Sequence, residues 1–260
     1  MRVGMILPPD GDLADGARRI EDAGFDGAWV FDAINRGFPL PDPLMALAVA
    51  GSVTRSIELG TCVLQLGLRP PAELAARVMT AHLVCGSRLS LGVGAGSTEA
   101  DFHACGADFA DRRRRFDTAL DVIPRLLAGE EVDGVALTPW PATLGGPRFL
   151  IGTWGRGDLI RRAAGEFDGW IASAAKGGRL PEGIARYRAA GGRRALVTNI
   201  TVDLDGPDEP ADPDEPFSLH CSPRQARERL KWLADLGYDD VILRTDRHGD
   251  RDLAAIRALC

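Results

Sequence analysis

Short apolar runs rich in β-branched residues alternate along this chain with stretches whose apolar residues recur at helical spacing. The pattern predicts strands over Arg2–Leu7, Gly27–Asp32, Ile57–Leu64 and Arg88–Val93. The helices between and after them are predicted over Leu13–Ala23, Pro43–Val53, Pro71–Val84 and Ala110–Leu127. The second half repeats the scheme. Strands Arg148–Gly152, Gly169–Ser173, Ala195–Val202 and Asp240–Arg244 precede helices Asp158–Glu166, Glu182–Ala190, Pro223–Leu236 and Asp250–Leu259. Punctuation agrees with the pattern. Gly24 and Gly86 follow helix ends, and prolines open Pro43, Pro71 and Pro223. Eight strand–helix units predict an α/β fold, a compact (β/α)8 barrel with few insertions. The rival topology is a doubly wound open sheet. An internal echo supports repetition: Gly24-Phe25-Asp26-Gly27, Glu166-Phe167-Asp168-Gly169 and Gly237-Tyr238-Asp239-Asp240 each join a helix end to a strand entry. A small hairpin is expected within Glu131–Pro147. Asp205–Pro216 reads as a stiff acidic, proline-rich loop.

Length and charge narrow the picture. The chain has 260 residues, and α/β barrels of about 250 residues commonly form one domain, so residues 1–260 are expected to be one barrel domain. The net charge of −6 leaves no electrostatic footprint for nucleic acid. The N-terminal apolar run is too short for a signal peptide or a span, which predicts a cytoplasmic protein without a membrane partner. The five cysteines have wide spacings and no zinc pattern, and the four histidines form no H-x-x-H, so no metal is expected.

In this fold chemistry sits at the C-terminal ends of the strands. Asp32 ends strand two, where a carboxylate could orient a cofactor or act as an acid or base; the plainer alternative is a loop salt bridge with Arg36. Gly60-Thr61-Cys62-Val63 puts small residues in strand three, a sign of a bulge or of a ligand close to the backbone. Cys62 reads more readily as a small buried hydrophobe than as a nucleophile. Gly92-Val93-Gly94-Ala95-Gly96-Ser97 could cradle a phosphate but lacks the dinucleotide spacing. Gly152-Thr153-Trp154-Gly155-Arg156-Gly157-Asp158 opens a helix and offers amides plus one arginine to an anion, or is a flexible turn with a capping Asp158.

These stretches together resemble the bacterial luciferase-like monooxygenase family, which includes oxidoreductases using the deazaflavin coenzyme F420. The resemblance runs through nearly the whole chain. It is carried by Gly24-Phe25-Asp26-Gly27-Ala28-Trp29-Val30, Asp42-Pro43-Leu44, Ile57-Glu58-Leu59-Gly60-Thr61, Arg69-Pro70-Pro71-Ala72-Glu73-Leu74-Ala75 and Gly86–Gly94. Gly106-Ala107-Asp108-Phe109 with Arg112, Ile151-Gly152-Thr153, Asp168-Gly169-Trp170 and Ser222-Pro223 follow in order. The resemblance implies a non-prolyl cis peptide in strand three, at or near Cys62–Val63. It also implies ring contacts from Asp32, Thr61, Cys62 and Val63, and a tail near Gly96, Ser97, Gly152, Thr153 and Trp154, with Arg112 or Arg113. Where members commonly carry His after the strand-two acid, this chain has Ala33. Where some deazaflavin dehydrogenases carry a catalytic Glu, it has Ser97. Asn35, Ser97, Thr98 and Glu99 are left as helpers beside Asp32. The implied activity is hydride transfer between F420 and a small organic substrate. The alternatives are a reduced-FMN monooxygenase served by a flavin reductase, and a non-catalytic barrel subunit. The resemblance also implies a homodimer.

Overall fold

The structure is a computed structural model that describes every residue except Asp10 and Gly155. The chain runs β1 (Arg2–Ile6), α1 (Leu13–Asp22), β2 (Gly27–Val30), α2 (Pro43–Val53), β3 (Glu58–Gln65), α3 (Pro71–Cys85) and β4 (Leu89–Gly94). It continues through α4 (Glu99–Ala104), α5 (Arg112–Leu127), the hairpin β5 (Glu131–Val132) and β6 (Val135–Ala136), β7 (Arg148–Gly152) and α6 (Gly157–Gly165). Then come β8 (Gly169–Ser173), α7 (Leu180–Ala189), β9 (Ala195–Asp203), β10 (Leu219–His220), α8 (Pro223–Leu236), β11 (Asp240–Arg244) and α9 (Asp250–Arg257). Eight parallel strands follow one another in the order β9-β11-β1-β2-β3-β4-β7-β8, and β8 pairs back to β9, closing the predicted barrel. Closure excludes the open doubly wound sheet.

Local chemistry accounts for the elements. The Asp12 and Asp42 carboxylates accept from the first amides of α1 and α2, and the Ser222 hydroxyl caps α8. Gly237, with φ of 100°, ends α8 in a left-handed conformation that a side chain would disfavour. The repeated turn has a shared task. Asp26, Asp168 and Asp239 accept, at 2.7–2.8 Å, from the amides of Val3, Phe149 and Ala195, each in the barrel strand preceding their own in sequence. Three copies of one residue pattern thus stitch three strand pairs at the same end of the barrel.

Strands buried on both faces leave alternate residues pointing inward. The interior cluster is Ile6, Trp29, Cys62, Leu150, Ile171, Leu196 and Ile242. Trp29 fills most of the lower interior. A Cβ on Gly4 or Gly60 would come within 2.6 Å or less of its indole, so these glycines make room for one large side chain. The close approach expected at Gly60 is therefore internal packing, not a ligand. A larger apolar layer seals the barrel against its helices. Asp205–Pro216 is an exposed loop, as predicted. Helix α4 and the two-residue β10 were not foreseen.

Candidate functional site

The C-terminal mouth is built around the β3 bulge. Thr61 pairs with Leu91 and Leu64 with Val93, so β3 spends one more residue than β4 between those pairs. The Cys62–Val63 peptide bond there is cis, at the position implied by the resemblance. The buried Thr61 hydroxyl donates to the Gly92 carbonyl at 2.7 Å and ties the bulge to β4. Cys62 turns into the interior beside Thr198, and burial pushes its thiol up to about 12, which leaves it protonated and a poor nucleophile. The Val63 isopropyl group projects into the space left by two missing side chains: a Cβ on Gly94 or Gly152 would lie 2.7 Å from it. Val63, Gly94 and Gly152 thus form one half-open floor.

Asp32 supports this floor from the side. Its buried carboxylate accepts from the Gln65 amide at 3.0 Å and from Arg69 at 2.9 and 3.3 Å. Its own amide donates to the Val63 carbonyl at 3.3 Å. The salt bridge anticipated with Arg36 is instead made to Arg69. Arg36 pairs with Asp101, at 2.7–3.1 Å. Asp101 is fully buried on α4 and also accepts from the amides of Ile34 and Asn35 and from Gln65 Nε2. Burial alone would raise its pKa; the Arg36 guanidinium, Gln65 and the two amides outweigh that and hold the carboxyl well below the usual carboxylate range. Gln65 links both centres, since its Nε2 also donates to the Asp32 carbonyl at 2.8 Å. Arg69, Gln65 and Asp101 went unassigned in the sequence. Only Arg69 left a trace there, inside the Arg69–Ala75 stretch.

The remaining expected residues are distributed around the rim. Asn35 and Ser97 are exposed, Gly96 has φ of 81°, and Thr98 and Glu99 lead into α4. Arg112 stacks its guanidinium 3.9 Å from the Phe109 ring centroid and donates to the Phe109 carbonyl, while Arg113 is exposed. Thr153 is buried, and its carbonyl accepts from the Trp170 indole at 3.2 Å. The Trp154 ring packs edge-on against Trp170 and lies near Gly183 of α7, so its indole belongs to the layer outside the barrel. Arg156 is held by Asp117 at 3.0 Å and Asp158 at 2.6 Å, so the charge expected for an anion is already matched. Gly155, in the same turn, lies outside the described residues. Asp32, Thr61, Cys62, Val63 and Gly152 therefore come together at the floor, whereas Arg112 and the Trp154 ring are engaged elsewhere.

Residues 10–204 match the family model described as luciferase-like monooxygenase. The chain is similar to the 4-hydroxyprotoasukamycin monooxygenase of Streptomyces nodosus subsp. asukaensis, with 39% identity over 129 residues. That match takes in 49% of this chain and 34% of the relative, so the chain spans about a third of that protein's length. It is also similar to the F420-dependent glucose-6-phosphate dehydrogenase of Beutenbergia cavernae, 32% identical over 201 residues, covering 71% of this chain and 59% of that protein. Among solved structures, monooxygenase RslO1 from Streptomyces bottropensis superposes with a TM-score of 0.81 at 18% identity, over 100% of this chain and 97% of its own. An F420-dependent secondary alcohol dehydrogenase, in complex with an F420–acetone adduct, gives 0.79 at 14% identity, over 100% and 98%. The structural likenesses show the barrel, and the family match covers most of the chain. The protein belongs to the luciferase-like monooxygenase family of oxidoreductases.

Proposed function

We propose that the mouth binds the ring of the deazaflavin coenzyme F420 and that the protein transfers hydride between it and a small organic substrate. The observation that carries this reading is the floor itself. Val63 lies between two positions without side chains, Gly94 and Gly152, and is itself only half-buried. A planar ring fits such a floor; the bound coenzyme would supply the hydride chemistry. The chain's part is to hold and orient the reactants, which is the main requirement of hydride transfer. Asp32, Arg69 and Gln65 fix the floor. Thr61 holds β3 to β4, and Gly96, Ser97, Gly152 and Thr153 offer backbone and hydroxyl groups to the tail. The carboxylates of Asp32 and Asp101 are both consumed by internal bonds. Protons would therefore come from water or from the rim hydroxyls, not from a dedicated acid. The segment Ile34–Pro39 is exposed, and such an open mouth suits hydride transfer better than oxygen chemistry, which needs water excluded. The longer of the two relatives' matches, to an F420-dependent enzyme, supports the same reading.

A second reading is a reduced-FMN monooxygenase served by a flavin reductase. It is favoured by the engagement of Arg112 and Arg156 within the chain, which leaves less positive charge for a long anionic tail. Titrating the protein with F420 and with FMN, each oxidised and reduced, decides between them. Tighter binding of the deazaflavin is expected. Preference for reduced FMN would establish the second reading, and binding of neither would leave a non-catalytic barrel.

A further inference from the structure

Beside the Val63 floor the mouth opens into a recess of about 340 Å³, at the small end of ligand pockets, which run to about 1,000 Å³. Ile6 of β1, Phe31 and Phe38 after β2, and Arg244 of β11 line it. Phe31 and Val63 pack on the same interior cluster, and the Asp32 amide joins the two segments. The recess therefore adjoins the floor. Along β11, Ile242 faces the barrel interior, and Arg244, two residues on, shares that face. Its guanidinium thus stands at the rim of a recess whose apolar side is Ile6, Phe31 and Phe38 and whose polar side is Thr245, Asp246 and His248.

Arg36, Arg69 and Arg156 hold carboxylates at 2.6–2.9 Å, and Arg112 lies on Phe109. Arg244 differs: among the described residues its ion-pair contact is to Asp246, at 4.0 Å, and Asp246 is 96% exposed. A guanidinium so weakly matched, next to two aromatic rings and an aliphatic floor, presents a planar fork suited to a carboxylate. We propose that this recess is the substrate subsite and that Arg244 selects a compact apolar organic anion, a carboxylate on a ring or short branched skeleton. The proposal rests on the reading of the mouth given above. Asp246 opposes the anion and moderates its affinity. His248 also lines the recess, and its carbonyl is approached by Arg19 at 3.4 Å.

The test uses the full chain without cofactor and two shape-matched probes, benzoate and benzamide, with binding followed by calorimetry and ligand-observed NMR at low salt. Benzoate should bind at least about tenfold more tightly, as a charge-assisted pair implies. Arg244→Gln should abolish that preference while leaving the binding of F420 or FMN unchanged, and Asp246→Asn should enlarge it. Equal binding of the probes, no binding of either, or a preference that survives Arg244→Gln overturns the assignment. Should Arg244→Gln fail to fold, Asp246→Asn decides, since the preference must rise there. A benzoate preference in a protein that binds neither ring cofactor would sink the proposed function and leave the anion subsite standing.

Discussion

The two ends of the barrel interior handle charge in opposite ways. At the closed end Glu58, Asp240, Arg2, Arg148 and Arg194 meet beneath Trp29. Arg194 grips Glu58 with two bonds of 2.8 Å and Asp240 with two of 2.9 Å. Arg2 and Arg148 flank Glu58, and Ser90 donates to it. Each carboxylate there has more than one cationic partner. At the open end, Asp32 and Asp101 are also matched, but they face sideways into the loops. The centre of the mouth is left to Val63 and two glycines, and Arg244 stands at its rim, paired among the described residues with Asp246 at 4.0 Å. The saturated end is a girdle that fixes where strands begin. The unsaturated end is where a ligand can complete the bonding.

The contrast is broken most severely at the girdle. Glu58→Ala leaves Arg194 and Arg2 short of a buried counter-charge and should cost about 3–5 kcal/mol, a loss of roughly 6–20 °C in Tm. Calorimetry would show it; a wild-type Tm would mean the girdle is ornamental. The same residue carries acid sensitivity. Burial opposes ionisation of Glu58, but Arg194, Ser90 and Arg2 outweigh it and lower its carboxyl from 4.5 to about 2. The folded value lies below the unfolded one, so the stabilisation is complete above pH 4.5 and is lost as pH falls towards 2. It amounts to about 3 kcal/mol. Denaturant titrations at pH 6 and pH 3 should show a steeper loss for the native chain than for Glu58→Ala.

At the mouth, Asp32→Asn removes the nearer carboxylate of Arg69 and leaves it, among the described residues, only Asp42, at 3.8 Å. It should cost about 2–3 kcal/mol and weaken ring binding together with stability. Turnover lost at unchanged Tm would instead make Asp32 a chemical participant. A smaller effect is expected from Gly152→Ala, whose new methyl would lie 2.7 Å from Val63. Displacing the floor should cost about 1–3 kcal/mol and reduce ring affinity. Gly11→Ala, with nothing among the described residues within 4 Å, is the control.

The difference between the ends also explains what the sequence could show. Bounds such as Pro43–Val53, Gly169–Ser173 and Pro223–Leu236 follow directly from caps, prolines and apolar runs, because those signals are local. The eight-fold alternation carries the barrel for the same reason. The site depends on pairings across long stretches of chain. Asp32 finds Arg69 thirty-seven residues on, and Arg36 finds Asp101 sixty-five residues on. Both acids are ordinary in sequence, and Asp101 lies on a six-residue helix too short to leave a periodic signal. Gly60 and Gly152 look alike in sequence, each a small residue in a strand. Only the position of Trp29 shows that one makes room for core packing and the other for the floor.

The smallest effect concerns Cys62, which separates a floor residue from a nucleophile. Its thiol is buried among Trp29, Leu150 and Leu196, and the same burial pushes it up to about 12. At pH 8 only about one thiol in ten thousand would be ionised, and the side chain offers no path to a reagent. Cys85, buried and pushed up to about 11, should behave alike, whereas the exposed Cys260 lies open to attack. Iodoacetamide at pH 8 followed by peptide mass spectrometry should therefore label Cys260 and spare Cys62, and Cys62→Ala should leave the binding of either ring cofactor little changed. Rapid labelling of Cys62 would mean that the β3 bulge opens to solvent, and the floor would then be a moving part rather than a fixed surface.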